Sequence, residues 1–136
     1  MEPRLIKGSA HTDERGCITY NNDFNASSVK RIYFIENKSI DFQRGWQGHK
    51  IEQRWFTATN GSFEVTLIKI KDWENPKSTG FPISFILEHS TMDVLHVPAG
   101  YISRIQALIE NSKLMAMSDY TLGEIQDEYR FPLEIV

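Results

Sequence analysis

The sequence predicts an all-β fold, a sandwich or small barrel of antiparallel strands. Short apolar or alternating segments recur at intervals of roughly ten residues, which is typical of such folds. Turn-rich pieces containing glycine, proline or asparagine separate these segments. Little room is left for helices, and only the tail LGEIQDEYRF could hold a short one. A chain of 136 residues is long enough to bury one core, so we expect a single domain over residues 1–136.

The strongest local signal lies in QRWFTATNGSFEVTLIKI, residues 53–70. Its Asn60-Gly61 dipeptide favours a type I′ turn, so we predict a β-hairpin here. The period-two rule places five apolar residues of this hairpin on a face directed to the core: Phe56, Ala58, Phe63, Val65 and Leu67. Arg54 falls on the same face, where a charge is costly unless it is paired. Two interpretations stay open for Arg54, a carboxylate partner or an anionic ligand.

Five further segments are predicted as strands. They are SVKRIYFI (28–35), PISFIL (82–87), DVLHV (93–97), SRIQALI (103–109) and KLMAMSDY (113–120). In the third segment, alternation puts His96 with Val94 on one face and Leu95 with Val97 on the other. Which of these faces is the inner one stays open.

Composition argues against several classes of function. No apolar run approaches the roughly 20 residues that cross a bilayer, and the first residues lack the apolar core of a signal sequence. The single Cys17 cannot form an internal disulfide, so we expect a cytoplasmic protein with no membrane association. A net charge of −3 gives no general field for nucleic acid. An anionic ligand must therefore be held by a few well-placed cations.

The stretch RGWQGHK, Arg44 to Lys50, has the spacing of a two-histidine sugar or metal site, with Gln47 in place of the first histidine. It resembles the first cupin motif, in which His-x-His is followed by a glutamate and a glycine. The second cupin motif, Pro-x-Gly and then a histidine, corresponds to PAG at 98–100 followed by Ser103. Three of the four usual metal ligands are thus replaced, by Gln47, Gln53 and Ser103. Amides and a hydroxyl bind transition metals poorly, so we expect no metal.

A closer resemblance, among cupins without a metal, is to the dTDP-4-keto-6-deoxyhexose 3,4-ketoisomerases, including the WxcM-like domains. It rests on VKRIYFI, RGWQGHK, the Asn-Gly turn, the Pro-x-Gly strand, SDY and the tail ending EYRFP, which occur in this order. That family usually shows RG-x-HAHK in place of RGWQGHK. The dTDP-4-dehydrorhamnose 3,5-epimerases are similar more distantly. The resemblance implies a cupin jelly-roll barrel and a homodimeric enzyme without cofactors, acting on a dTDP-linked 4-keto-6-deoxy sugar for surface glycans such as lipopolysaccharide.

The resemblance also suggests catalytic residues. His49 is the histidine that remains in the motif, and a neutral imidazole suits the removal of the acidic proton beside a ketone. Gln47 can only orient a substrate by hydrogen bonds, because an amide does not take up a proton. Tyr33 and Tyr120 are candidate proton donors, and Asp119 could orient His49 or a tyrosine. For each of these three, core packing or turn capping is the alternative, as a structural role is for His49.

Substrate binding needs cations, hydrogen-bonding groups and aromatic rings. The candidates are Arg44, Lys50, Gln53, Arg54, Ser103, Arg104 and Trp46. Trp55 could also stack on a thymine, although an exposed tryptophan on that strand more often marks a subunit contact. His96 could partly replace the histidine missing at Ser103.

Three functions therefore compete. The first is 3,4-ketoisomerisation, favoured by the overall resemblance. The second is 3,5- or single-centre epimerisation of the same class of substrate, favoured chemically because few bases remain. The third is a cupin that has lost its bases and binds a sugar nucleotide without reaction.

Overall fold

The computed structural model describes residues 1–78 and 80–135. The strands are β1 (Arg4–Ile6), β2 (Ser9–Asp13), β3 (Gly16–Tyr20), β4 (Arg31–Ile35), β5 (Gln43–His49), β6 (Arg54–Asn60), β7 (Ser62–Lys69), β8 (Ile83–Glu88), β9 (Val94–Val97), β10 (Tyr101–Ala107), β11 (Lys113–Ser118) and β12 (Tyr129–Arg130). Short 3-10 turns occupy Pro76–Ser78 and Leu133–Ile135. Each of the five segments predicted as separate strands overlaps an observed one, although β8 ends one residue later and β10 begins two residues earlier than predicted.

Two five-stranded antiparallel sheets face each other. The first has the order β1-β9-β6-β11-β4, and the second has the order β12-β5-β10-β7-β8. Strands β2 and β3 pair only with each other, as an exposed two-stranded arm. The predicted all-β architecture is confirmed. The tail LGEIQDEYRF forms turns and then β12, and no helix among the described residues is long and apolar enough to span a membrane.

The predicted hairpin is wrong in its pairing. Strand β6 pairs with β9 and β11, whereas β7 pairs with β8 and β10 in the other sheet. Gly61, with φ of +70°, turns the chain from one sheet to the other. The turn between β10 and β11 fixes this crossing: the Asn60 side chain donates to the Asn111 carbonyl at 2.7 Å, and the Ser62 amide donates to Ser112 Oγ at 3.1 Å.

The predicted core face is nevertheless confirmed, because β6 and β7 face each other across the sandwich. The core contains all five predicted residues with others from both sheets: Phe56, Ala58, Phe63, Val65, Leu67, Leu87, Leu95, Val97, Tyr101, Ile105, Ala107, Leu114 and Ala116. Leu95 and Val97 therefore point inwards, and His96 points outwards. Sheet faces some 10 Å apart interdigitate in this way in sandwiches.

The outer faces of the sheets are also covered. Trp55 is buried against Met117 and stacks on His96, with 5.1 Å between the ring centroids, and Phe24 and Val29 pack over this cluster. The expectation of an exposed Trp55 is therefore wrong, because the connection between β3 and β4 covers it. On the second sheet Trp46, Ile68, Ile70 and Ile102 form a matching outer cluster.

Candidate active site

A cavity of about 890 Å³ opens between the inner faces of the two sheets. Strands β4, β5, β6 and β10 supply its walls, and the C-terminal segment 121–130 lines its rim. This volume lies within the range that accommodates a cofactor or a drug-sized ligand. Six of the predicted site residues line it: Tyr33, Arg44, Gln47, His49, Arg54 and Ser103.

His49 lies at the end of β5 and is buried, with 9% of its surface exposed. Its Nδ1 is 2.9 Å from the carbonyl oxygen of Asp127. Since a carbonyl can only accept, Nδ1 carries the hydrogen and Nε2 keeps its lone pair. Burial lowers the pKa of His49 below its ordinary value of 6.5, and the charge of Arg54 lowers it further, against opposing contributions from Asp127 and Glu52. The imidazole is therefore neutral at pH 7.

Arg54 is held in the wall of the cavity by a network that includes a carboxylate. Its Nη1 donates to Glu52 Oε1 and to Ser118 Oγ, both at 2.9 Å. Its Nε donates to the hydroxyl oxygen of Tyr33 at 2.9 Å. The Tyr33 hydroxyl hydrogen is thus free to point to a ligand, beside a cation that would stabilise negative charge on the ring oxygen. The carboxylate interpretation of Arg54 fits this network.

Gln47 takes part in contacts at the rim. Its Nε2 donates to Glu128 Oε1, and the same carboxylate oxygen accepts from Arg130 Nη2 at 2.9 Å. Ser103, on the neighbouring strand, donates its hydroxyl to the Gln47 carbonyl at 3.3 Å. The two residues that replace family histidines are therefore hydrogen-bonded to protein groups, and neither can take up a proton at pH 7.

Two arginines in the cavity have no carboxylate partner within 4.0 Å among residues 1–78 and 80–135. Arg44 Nε donates to Asn37 Oδ1 at 3.1 Å, and the Arg31 guanidinium lies 4.4 Å from the centre of the Tyr33 ring. Their charges remain available to an anionic ligand. Arg31 was not predicted as a site residue, although it lies within the recognised VKRIYFI segment.

Several predicted residues lie outside the cavity lining, because they point to the outer face of their sheet. Trp46 is buried in the outer cluster, and Arg104 lies 5.1 Å from the centre of its ring. The Lys50 ammonium lies 5.1 Å from the Tyr129 ring centre and 5.9 Å from that of Trp73. These positions do not support the predicted contacts of Trp46, Lys50 and Arg104 with a ligand in the cavity.

Asp119, Gln53 and His96 form a separate chain of hydrogen bonds on the outer side. The Asp119 carboxylate accepts from the Gln53 amide at 2.8 Å and from its side chain at 3.1 Å. Gln53 Oε1 is 2.6 Å from His96 Nε2. Asp119 therefore does not orient His49, and His96 does not replace the histidine missing at Ser103. The Tyr120 ring likewise lies outside the lining, beneath the Lys30 ammonium at 5.7 Å.

A second cavity residue that sequence reasoning missed, besides Arg31, is Asp127, which holds His49. Its carboxylate also accepts hydrogen bonds from the backbone amides of Lys50, Ile51 and Glu52. The contact between Asp127 and His49 joins residues 78 positions apart, so no local sequence pattern predicts it. The acidic tail shared with the family was the only sequence feature that pointed to this segment. His49, Glu52 and Asp127 bring one ligand atom each within 4.8 Å of one another. These carboxylates are already hydrogen-bonded to amides, Arg54 and Ser118, so the set does not fit a metal without displacing those contacts.

The family model described as FdtA: WxcM-like, C-terminal, matches residues 1–132. The chain belongs to this family. Comparison of this WxcM-like chain with curated proteins finds no match. Among solved structures it is similar to QdtA, a 3,4-ketoisomerase from Thermoanaerobacterium thermosaccharolyticum, in a histidine-to-asparagine mutant in complex with TDP-4-keto-6-deoxyglucose. The TM-score is 0.73 at 22% identity, over 96% of this chain and 88% of that one.

Two other solved structures extend the likeness of the WxcM-like chain. WlaRB, a TDP-quinovose 3,4-ketoisomerase from Campylobacter jejuni, has a TM-score of 0.66 at 19% identity, over 92% of this chain and 90% of that one. The dTDP-4-dehydrorhamnose 3,5-epimerase from Bacillus anthracis, with TDP and PPi bound, has a TM-score of 0.75 at 15% identity, over 92% and 76%. The predicted family and the predicted jelly-roll fold are both confirmed.

Proposed function

We propose that this WxcM-like protein is a cofactor-independent isomerase that moves the ketone of a dTDP-linked 4-keto-6-deoxyhexose from C4 to C3. The observation that carries the proposal is His49, a buried and neutral imidazole whose Nδ1 is held by Asp127. His49 lines the cavity, and its unprotonated Nε2 can act as a base at pH 7. The named activities of the similar structures support the same class of reaction.

The C3 hydrogen of a 4-keto sugar is acidic, because the enolate formed on its removal is stabilised by the ketone. In the proposed reaction Nε2 of His49 takes this proton, giving an enediolate, and then returns it to C4. The hydrogen of the C3 hydroxyl moves to the oxygen on C4, so the reaction is balanced without an oxidant or a reductant. Proton transfer by a positioned side chain typically contributes about a hundredfold or more.

Charge that develops on the sugar oxygens needs a donor. The Tyr33 hydroxyl is the best placed. Its oxygen accepts a hydrogen bond from Arg54 Nε, so its own hydrogen can be donated to the substrate. Arg31 and Arg44 would bind the diphosphate, because their charges lack carboxylate partners among the described residues. These roles for Tyr33, Arg31 and Arg44 are part of the proposal, as is the orienting role of Gln47.

Epimerisation of the same substrate is the second candidate. It is favoured by Gln47 and Ser103, which leave His49 as the single histidine among the cavity lining residues. One base that removes a proton and water that returns it on the other face would invert one carbon. We further propose a homodimer in the cytoplasm that supplies sugars for surface glycans, on the family resemblance alone.

Incubation with dTDP-4-keto-6-deoxyglucose, followed by carbon NMR of the ring, tests the proposal. A carbonyl signal that moves from C4 to C3 supports the isomerase. A carbonyl that stays at C4 while a ring carbon inverts supports the epimerase. Binding measured by calorimetry without any change in the sugar would instead indicate a recognition protein.

A further inference from the structure

Asp127 is a buried acidic residue in the C-terminal segment, with 3% of its surface exposed. Its Oδ1 accepts from the Lys50 amide at 3.0 Å, and its Oδ2 accepts from the Ile51 and Glu52 amides at 2.8 Å each. These are the three residues that directly follow His49 at the end of β5. A single carboxylate thus accepts hydrogen bonds from three backbone amides. Such amides are rarely left unpaired when they are partly buried.

The backbone of the same residue holds the histidine itself, since the Asp127 carbonyl accepts from His49 Nδ1. The adjacent strand β12 pairs with β5, with Tyr129 opposite Gly48 and Arg130 opposite Gln47. The C-terminal segment is therefore attached to β5 before and after His49. The carbonyl cannot shift relative to the imidazole unless the contacts of the carboxylate with the turn also break.

We propose that Asp127 is the positioning residue of His49: its carboxylate fixes the turn 50–52, and through it the carbonyl that keeps the hydrogen on Nδ1. The inference deepens the proposed function, on which its catalytic consequence rests. A base that must act through Nε2 needs the tautomer in which that nitrogen is unprotonated. Asp127 does not contact the substrate in this account, and its effect passes through the imidazole.

The neighbouring charges do not supply this control. Glu52 Oε2 is 3.9 Å from Nδ1, and Glu52 is already bound to Arg54 and Ser118. The Arg54 cation disfavours the imidazolium, which carries hydrogen on both nitrogens, and so acts on the pKa of the ring rather than on the choice between its two neutral tautomers. Among the described residues, the hydrogen bond that determines which nitrogen of His49 carries the hydrogen is the one to the Asp127 carbonyl.

The test is the tautomer of His49 in Asp127→Asn, read from nitrogen NMR of the imidazoles in the protein without substrate. The amide keeps one acceptor oxygen but turns an NH2 group toward backbone N–H donors, so the turn loosens. We expect Nδ1–H in the wild type and a mixture of tautomers in the variant. With substrate, kcat should fall by on the order of ten- to a hundredfold, with KM little changed.

Asp93→Asn is the matched control, because Asp93 is also buried and its carboxylate accepts a distant backbone amide, from Gly8 at 2.8 Å, away from the cavity. It should leave the tautomer unchanged. An Nε2–H tautomer in the wild type overturns the inference, and so does an Asp127→Asn protein with unchanged tautomer and kcat. If Asp127→Asn does not fold, Asp127→Glu takes its place. The tautomer is measured without substrate, so it does not depend on the proposed reaction. A wild type that has Nδ1–H but shows no reaction would contradict the proposed function and leave the positioning role of Asp127 intact.

Discussion

His49 has the properties of a base because of what surrounds it. Burial and the Arg54 charge keep its pKa below 6.5, and the Asp127 carbonyl directs the remaining lone pair to Nε2. Glu52 stabilises Arg54, so that cation does not remain unpaired in the wall of the cavity. Each of these contacts acts on the protonation state rather than on the shape of the site.

The first prediction concerns the pH dependence of catalysis. Because the base must be neutral, kcat/KM should fall as the pH falls through a value below 6.5. In Arg54→Gln the loss of the guanidinium should move this acid limb to higher pH, towards 6.5, whatever it does to the maximal rate. An acid limb that stays in place when Arg54 is removed would contradict the assigned cause.

The second prediction concerns the proton donor. Tyr33→Phe removes the hydroxyl while the ring stays, so kcat should fall by about a hundredfold, in the range usual for such groups. Binding of dTDP, followed by calorimetry, should change little. Tyr20→Phe, on the exposed arm, is the control. Equal rates in both variants would remove Tyr33 from the mechanism.

At this scale the sequence predicted the residues that follow β-strand alternation and missed those that depend on the tail. His49 and Gln47 share the inner face of β5, and a register shift between Gln47 and Arg44 brings Arg44 to the same cavity; the motif identified all three. Trp46 lies between them in the sequence and therefore faces outwards. Asp127 could not be predicted, because its hydrogen bonds join segments 75 to 78 positions apart.

At the scale of elements, the sequence around the turn between β6 and β7 predicts the turn but not how the two strands pair. Asn60-Gly61 predicts a reversal of the chain, and a reversal occurs there. Whether the two strands then pair edge to edge or face each other depends on which other strands reach their edges. Strands β8 to β11 take those positions, and they come later in the chain.

The third prediction tests this crossing. Gly61 and Gly123 both have positive φ, of +70° and +80°, but a Cβ at Gly61 would meet Ser112 Oγ at 2.0 Å, whereas at Gly123 it would meet no atom within 4 Å. Gly123→Ala should cost about 1 kcal/mol of unfolding free energy from backbone strain alone. Gly61→Ala should cost about 3 kcal/mol or more, since the turn between β10 and β11, which contains Ser112, must also shift. Urea unfolding of the two variants measures the difference, and equal losses would contradict the packing at Gly61.

At the scale of the whole molecule, histidines couple stability to pH. His49 and His96 both have a pKa lowered from 6.5, first by burial and then by Arg54 and Arg4 respectively. Above pH 6.5 both residues are neutral in the folded and unfolded states. Below it the unfolded chain takes up protons that the folded chain resists, so folding is progressively less favourable.

The fourth prediction is therefore that the free energy of unfolding, measured in urea, falls between pH 7 and the lowered pKa values of these histidines. His49→Asn and His96→Asn should each weaken this dependence. A pH dependence that survives in the double variant of His49 and His96 would assign it to other groups.

The jelly-roll fold is shared by 3,4-ketoisomerases and 3,5-epimerases, and members of both classes are similar to this chain. The difference must lie in which groups reach the sugar. In this chain the cavity lining offers one histidine, three tyrosines (Tyr33, Tyr101 and Tyr129), and Gln47 in place of the first histidine of the motif.

The most direct measurement is the exchange of hydrogen for deuterium in dTDP-4-keto-6-deoxyglucose incubated with the protein in deuterated water, followed at C3 and C5 by proton NMR. We predict loss of the C3 proton signal or its transfer to C4 as the ketone moves, with C5 unchanged, and neither event in His49→Asn, which should still bind dTDP. Reaction at C3 that persists in His49→Asn, or no reaction at C3 in a wild type that binds the sugar nucleotide, would contradict His49 as the base of an isomerase.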